Sequence, residues 1–460
     1  MDTIIEIINT VNGYVWLLVI AMLVLCATWF TLRLRFVQFR MVKQMVKILF
    51  DKPKHGNIGA FQAFAVALSS RVGTGNLAGV ASAIFVGGPG AILWMWIMAV
   101  LGSATAFVES TLAQLYKRRG EDSFYGGPAY YMETGLGKRW MGALFAILIT
   151  VTFALANQVV QSTTLCDSIS DTFHIEKVMV GGVLTIATLL VVFGGIRRIA
   201  HFASLVVPFM AFSFILLALY IVAINITDLP DVFGIIFADA FGLRQVAGGG
   251  VGMAIMQGVK RGLFSNEAGE GSAPNAAAIA DTDHPVNQGL LQAFGVFVDT
   301  LVICTCTAFI IIISGKYNCG KDGILLTAEA IDSEVGSAGR YFITAAIFLF
   351  AYSTIIANYF YGETNIRFIS NKNTYILLLR LLTGVVVMAG SLVDLQTAFS
   401  LVDIVMACMT ILNLVAISAL FPKVVFLLED YKAQLRQHRT PEFHRTIMDE
   451  EDAVKLEAWE

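Results

Sequence analysis

Two stretches of this 460-residue chain place polar and conformationally loose residues inside runs that are otherwise apolar. The first reads Ser69-Ser70-Arg71-Val72-Gly73-Thr74-Gly75-Asn76. The second reads Gly262-Leu263-Phe264-Ser265-Asn266-Glu267-Ala268-Gly269-Glu270-Gly271-Ser272-Ala273-Pro274. Glycines one residue apart, flanked by hydroxyl and amide side chains, make poor continuous helix. Unwound backbone at membrane depth survives only where it lines a protein cavity or a hydrated site. Its freed N–H groups and half-helix N-termini suit a carboxylate, and its freed carbonyls suit a cation. A single stretch of this kind reads equally well as a close-packing site between helices. Two of them, five spans apart, favour ligand binding.

The elements that must position these stretches are membrane helices. Charged residues are 14% of the chain, against about 25% in ordinary globular proteins, and the hydrophobic set is 57%. Apolar runs of roughly membrane-spanning length recur from end to end. We count eleven, at about 14–32, 60–86, 89–116, 141–166, 177–195, 202–225, 250–280, 287–314, 340–368, 374–391 and 398–421. Basic residues gather in alternate loops. Arg33, Arg35, Arg40, Lys43, Lys47, Lys52 and Lys54 follow the first span, and Lys117, Arg118 and Arg119 the third; Arg197 and Arg198 follow the fifth, and Arg367 and Lys372 the ninth. The positive-inside rule then puts the N-terminus outside and the tail inside, as an odd number of spans requires.

Counted from the second span, the chain divides into five plus five. Five is odd, so the halves have opposite topology, and each begins with its second or seventh, interrupted, span. This is the pattern of an inverted-repeat secondary transporter. The expected organisation is an extra N-terminal helix and basic loop over 1–59, a first repeat over 60–226, a second over 227–429 and a cytoplasmic tail over 430–460. Residues 226–249, ending in Gly248-Gly249-Gly250, predict an interfacial helix. The loop 316–339, with a helical middle from Leu325 to Ile331, is either a lid or a passive connection. The tail, with mixed charge, predicts a solvated helix and extension.

Other classes are disfavoured. A net charge of −3 offers no basic field for nucleic acid. The six Cys and six His show neither disulfide framework nor zinc spacing. Asp2 and Glu6 replace the basic start of a secretory signal, so the first apolar run reads as a true span. No GxSxG, HExxH or P-loop string occurs, so neither an enzyme nor an ATP-driven pump is indicated. A channel should show re-entrant filter repeats, whereas two different interrupted helices in one chain fit a single occluded site.

Several strings make the reading specific. VGTGN at 72–76, GGPGA at 87–91, GGPAYY at 126–131, RGLFSNEAGEGSAP at 261–274 and YFYGE at 359–363 run in order along nearly the whole chain. Together they resemble the alanine or glycine:cation symporter family. The resemblance implies an all-α, leucine-transporter-type 5+5 fold with one additional N-terminal helix. It implies import of a small neutral amino acid with Na+, or with H+ in its place, and no organic cofactor. No nucleic acid and no obligate protein partner are expected.

The same resemblance assigns roles. Na+ is a hard cation that takes oxygen ligands. The hydroxyls of Ser353 and Thr354 would face backbone carbonyls near Ser69 and Val72; alternatively they bond back to their own helix. The substrate carboxylate would meet N–H donors at Thr74, Gly75 and Asn76, and its ammonium the carbonyls from Ser265 through Asn266 to Gly269. Gln161 matches a polar family position beside them. Thr354, Asn358, Tyr361 and Asn365 share one helix face.

Intramembrane carboxylates are expensive and functional by default. Glu109, Asp299, Glu363 and Asp403 are the candidates, with Asp299 on the cation path. Glu363 and Asp403 read equally as helix ties near the cytoplasmic side, to Arg71 or Arg367. One departure from the family pattern stands out: Glu270 occupies a position that is commonly apolar. It can pair with Arg71, alter the choice of cation or meet a more polar substrate, which keeps glutamine open as the cargo.

Overall fold

The computed structural model describes residues 2–51, 57–120, 123–243 and 250–459. Lys52, Lys54, Gly248 and Gly249 lie outside the described residues. Eleven spans follow the order expected from the apolar runs. The first is Asp2–Arg33, the third Ala91–Leu115, the fourth Arg139–Phe173 and the fifth Lys177–Val192. The sixth is Gly195–Ile224, the eighth Pro285–Ile313, the ninth Ser337–Ile369, the tenth Asn373–Gly390 and the eleventh Leu395–Arg436. Eight of these helices are long and apolar enough to cross a membrane on their own. The other three are the sixteen-residue fifth span and the interrupted second and seventh.

The interruptions have local causes. The second span starts as an Ala-rich helix, Ala60–Arg71, whose first turn is tied by Gly59 N–H donating to Gln62 Oε1 at 3.0 Å. It stops at Val72-Gly73-Thr74, passes through a π turn at Gly75–Gly79 and resumes as Val80–Gly87. The seventh runs as Val251–Asn266 and resumes as Ala273–Ala278. Between them Glu267, Gly269 and Gly271 all have positive φ (56°, 95° and 85°), a region that disfavours regular helix. Pro274, in the first turn of the second half-helix, needs no N–H partner there.

These two spans are the centre of the molecule. Nearly every residue from 63 to 84 and from 258 to 280 is buried. The fifth and tenth spans instead present Val183, Ile186, Leu190, Leu378 and Val385 outward, as lipid-facing helices do.

The connections carry more structure than a solvated loop would. Leu229–Ala240 is a helix, and its Asp239 accepts from Gly90 N–H at 2.8 Å. Gly323–Val335 packs against the second half of the second span, with Thr327 Oγ1 donating to Leu77 O at 2.9 Å and Ser82 Oγ donating to Asp322 at 2.6 Å.

The tail corrects the solvated-extension expectation. Phe443, Leu456 and Trp459 are buried. Phe443 N–H donates to Asp283 O at 2.8 Å, and Trp459 Nε1–H reaches the carbonyls of Gln114 and Leu115, both at 3.1 Å. Those carbonyls belong to the last turn of the third span, where helix carbonyls run short of partners in their own helix. Beside them, His284 meets Asp430 through Nε2 at 3.2 Å and accepts from Val286 N–H through Nδ1. Burial pushes this imidazole below its ordinary pKa. Mixed charge alone did not show the apolar anchors.

Candidate functional site

Asp299 joins the two breaks. It lies in a π segment of the eighth span, Phe297–Cys304, and is fully buried. Its carboxylate accepts from Asn76 Nδ2 of the first break at 2.6 Å and from Ser265 Oγ of the second at 2.7 Å. Thr300 Oγ1 donates a third bond at 2.8 Å and in turn accepts from Asn266 Nδ2 at 3.1 Å. Three donors replace the water that a buried carboxylate has lost. Cys304 Sγ packs into the same cluster, 3.3 Å from Asn76 Nδ2 and 3.1 Å from Ser265 Oγ.

A second carboxylate repeats the pattern. Glu267 accepts from Ser70 Oγ of the first break and from Ser272 Oγ of its own, both at 2.5 Å. Ser70 has one proton. It serves one acceptor at a time, Glu267 or the Asn358 Oδ1 that lies 3.0 Å from Ser70 Oγ. Glu109 accepts from Gly269 N–H at 3.2 Å and from Asn413 Nδ2 at 2.8 Å, and Asn413 also holds the Gly269 carbonyl at 2.9 Å. Tyr131 donates to Asn413 Oδ1.

Arg71 and Glu270 stand apart. Arg71 gives one bond, to Gln292 O at 3.1 Å; its Nε and Nη2 have no partner among the described residues. It lies within Coulombic reach of all four carboxylates. Glu270 is fully buried, and neither of its carboxylate oxygens has a hydrogen-bond partner among the described residues. A direct Glu270–Arg71 pair, one of the sequence expectations, does not form.

The hydroxyl pair on the ninth span divides. Thr354 Oγ1 lies 2.8 Å from Ser69 O and 3.4 Å from Ser70 O, which places it against the end of the first half-helix. It also lies 2.9 Å from Phe350 O in its own helix. Ser353 turns away, to Phe350 O and the Met210 sulfur. Ser69 and Thr354 therefore meet as expected. Ser353 faces the sixth span, because adjacent residues on a helix point about 100° apart.

Close approach here depends on glycine. A Cβ on Gly73 would collide with Thr354 Oγ1 and sit 3.2 Å from Gln161 Oε1; one on Gly75 would meet Phe264 and the Ser265 backbone at 3.2 Å. Gln161 accepts from Thr74 N–H at 3.2 Å, and Gly73 N–H donates to Asn76 Oδ1 at 3.0 Å. So the structure gathers Thr74, Gly75, Asn76, Gln161, Ser265 and Asn266. Its N–H groups at 73 and 74 are held by side-chain amides, and the Gly269 carbonyl belongs to the Glu109–Asn413 cluster. Glu363 pairs with Arg367 at 2.7 Å within its own helix, so that pair ties no helices together; its contact with another span is to Arg380, at 4.0 Å. Asp403 instead faces Lys260 and Arg261, each at 3.5 Å, near the start of the eleventh span. Glu267, Ser70 and Asn413 had no pattern of their own in the sequence beyond being polar within an apolar span.

Comparison with known proteins follows this geometry. The model of the sodium:alanine symporter family matches residues 1–445. The chain is 45% identical to a protein named probable sodium/glutamine symporter GlnT of Bacillus subtilis (strain 168), over 100% of this chain and 97% of that one. It is 46% identical to the amino-acid carrier protein AlsT of the same organism (95% and 94% covered). It is 38% identical to the sodium/alanine symporter AgcS of Methanococcus maripaludis (92% and 96%). Among solved structures, MhsT in complex with L-phenylalanine superposes with a TM-score of 0.58 at 12% identity, covering 87% of this chain and 92% of that one. The shared fold is of the leucine-transporter type.

Proposed function

The chain belongs to the sodium:alanine symporter family, and on that premise we propose that it imports a small neutral amino acid, alanine or glycine first, coupled to Na+ by alternating access. It is a multi-pass membrane transporter rather than an enzyme. The observation that carries the finer reading is the convergence of both breaks on Asp299, with Thr354 against the Ser69 carbonyl beside it.

In this reading Na+ takes the Thr354 hydroxyl together with carbonyls of Ser69 and Val72, and Ser353 supports the site from behind. The substrate carboxylate takes the N–H groups of Thr74, Gly75 and Asn76, displacing the side-chain amides that hold the first turn of the break. Gln161 lies beside it. The ammonium meets the carbonyls at Ser265 and Asn266, with Gly269 at the far edge. Phe264 and the Ser265 backbone already lie close to Gly75, which suits a small substrate side chain better than a large one. Asp299 and Glu270 set coupling or specificity. The repeats are 60–226 and 227–429, with the N-terminus outside and the tail in the cytoplasm, as the basic loops favour.

Glutamine is the second reading, favoured by Glu270 and by the name of the Bacillus subtilis relative. H+ as the coupling ion is the third, since other relatives are named as sodium/proton-dependent carriers. Uptake into proteoliposomes across a panel of neutral amino acids separates them. Accumulation of alanine driven by a Na+ gradient and abolished by choline supports the proposal; accumulation driven by a pH gradient alone overturns the Na+ assignment.

A further inference from the structure

A cavity of about 350 Å³ lies where the first span leaves the membrane, far along the chain from either break. The first helix ends at Arg33, and the chain turns through Arg35 and Phe36, both left-handed with φ near 55° despite carrying side chains. The turn is closed by Phe36 N–H donating to Thr31 O at 2.8 Å. It aims Arg33 and Arg35 to one side and starts the short helix Val37–Arg40. Opposite, the eleventh helix continues well past its apolar run at about 398–421, running out to Arg436. Glu429, Lys432 and Arg436 recur there at helical spacing and share one face.

The cavity is therefore lined by Arg33, Arg35, Arg40, Lys432 and Arg436, against the single carboxylate of Glu429. None of the five cations makes an ion pair among the described residues. Five like charges around one cavity repel one another, and folding alone would scatter them. Burial, with Arg40, Arg35 and Arg436 nearby, holds the Lys432 ammonium below its ordinary pKa.

The rim decides what kind of anion fits. Phe36 and Phe39 are about half exposed, and the amphipathic helix Val42–Leu49 buries Met45 and Ile48 while exposing Val42 and Val46 beside Lys43 and Lys47. Exposed apolar side chains flanked by lysines, at the end of a membrane helix, describe a surface lying in the headgroup layer. We propose that this cavity binds the phosphate of an anionic phospholipid headgroup, with the acyl chains running along Phe36, Phe39 and Val42. Basic pockets between transmembrane helices are suited to such headgroups. The site would tie the extra N-terminal helix to the eleventh through lipid.

Competitive lipid retention tests this, read by native mass spectrometry on the purified full chain offered phosphatidylglycerol and phosphatidylcholine together. The expected result is at least about tenfold preference for phosphatidylglycerol. Arg35→Gln, Arg40→Gln and Arg436→Gln should each lower the preference about fivefold, the equivalent of about 1 kcal/mol per charge near the surface. Glu429→Gln should raise it, so the proposal remains testable even if an arginine variant folds poorly. Equal retention of the two lipids overturns the proposal. Inorganic phosphate that displaces phosphatidylglycerol as well as excess phosphatidylglycerol does also overturns it, because the cavity then takes a free anion. The readout is lipid retention rather than uptake, so its outcome is separate from that of the transport proposal.

Discussion

The two breaks do similar work with different completeness. In the first, three residues leave the helix, the chain recovers through a π turn, and the polar side chains of Asn76 and Ser70 are taken up by carboxylates from elsewhere. In the second, six residues are irregular, and one of its two carboxylates, Glu267, is satisfied while the other, Glu270, is not. Each break thus leaves one charged group short of partners among the described residues: the Arg71 guanidinium keeps a single hydrogen bond in the first, and the Glu270 carboxylate has none in the second. A buried polar group left unpaired costs stability, and proteins keep such groups chiefly where function requires them.

The largest effect that can break this comparison is at the shared carboxylate. Asp299→Ala would strand Asn76, Ser265 and Thr300, at about 1–3 kcal/mol for each donor left unpaired. Equilibrium binding of labelled alanine should weaken by at least about 100-fold, with a lowered melting temperature. Full affinity would mean that the breaks are held together by something else. Asn76→Ala removes one member of the first break and should weaken binding by roughly tenfold to 150-fold, from about 1–3 kcal/mol. Unchanged affinity in a folded protein would move the substrate carboxylate elsewhere.

Glu270→Met sharpens the contrast from the other side. Neither oxygen of Glu270 has a donor to strand, so thermal stability should stay within about 0.5 kcal/mol of the wild type or rise. The relative uptake of alanine, glycine and glutamine should shift. A collapsed melting temperature with unchanged selectivity would make Glu270 a structural residue, in the manner of a broken buried pair.

Much of this was legible before any coordinates. Apolar runs gave the spans because lipid requires them; Gly269 and Gly271 marked the second break because few other residues tolerate positive φ, and Gly73 and Gly75 the first because a Cβ there would run into neighbouring spans. Thr354 and Ser69 met as the family resemblance implied. What the sequence hid was pairing across long separations. Glu267 to Ser70, and Asn413 to Glu109, join residues hundreds of positions apart, and no local period encodes them. The π segments carry no local signal either, yet Asn76 and Asp299, which meet at 2.6 Å, both lie in one. In the tail, the buried anchors Phe443, Leu456 and Trp459 stand among charged neighbours, so composition points to solvent where the chain packs.

The central claim is that Na+ and the amino acid share one site between the breaks, and Thr354→Val tests it most directly. Valine keeps the volume but removes the hydroxyl that sits 2.8 Å from the Ser69 carbonyl. Alanine binding should be measured across a Na+ titration on wild type and variant. The Na+ concentration for half-maximal binding should rise about tenfold, as expected from about 1.4 kcal/mol lost at one ligand, with alanine affinity recovering at saturating Na+. An unchanged Na+ requirement would contradict the account.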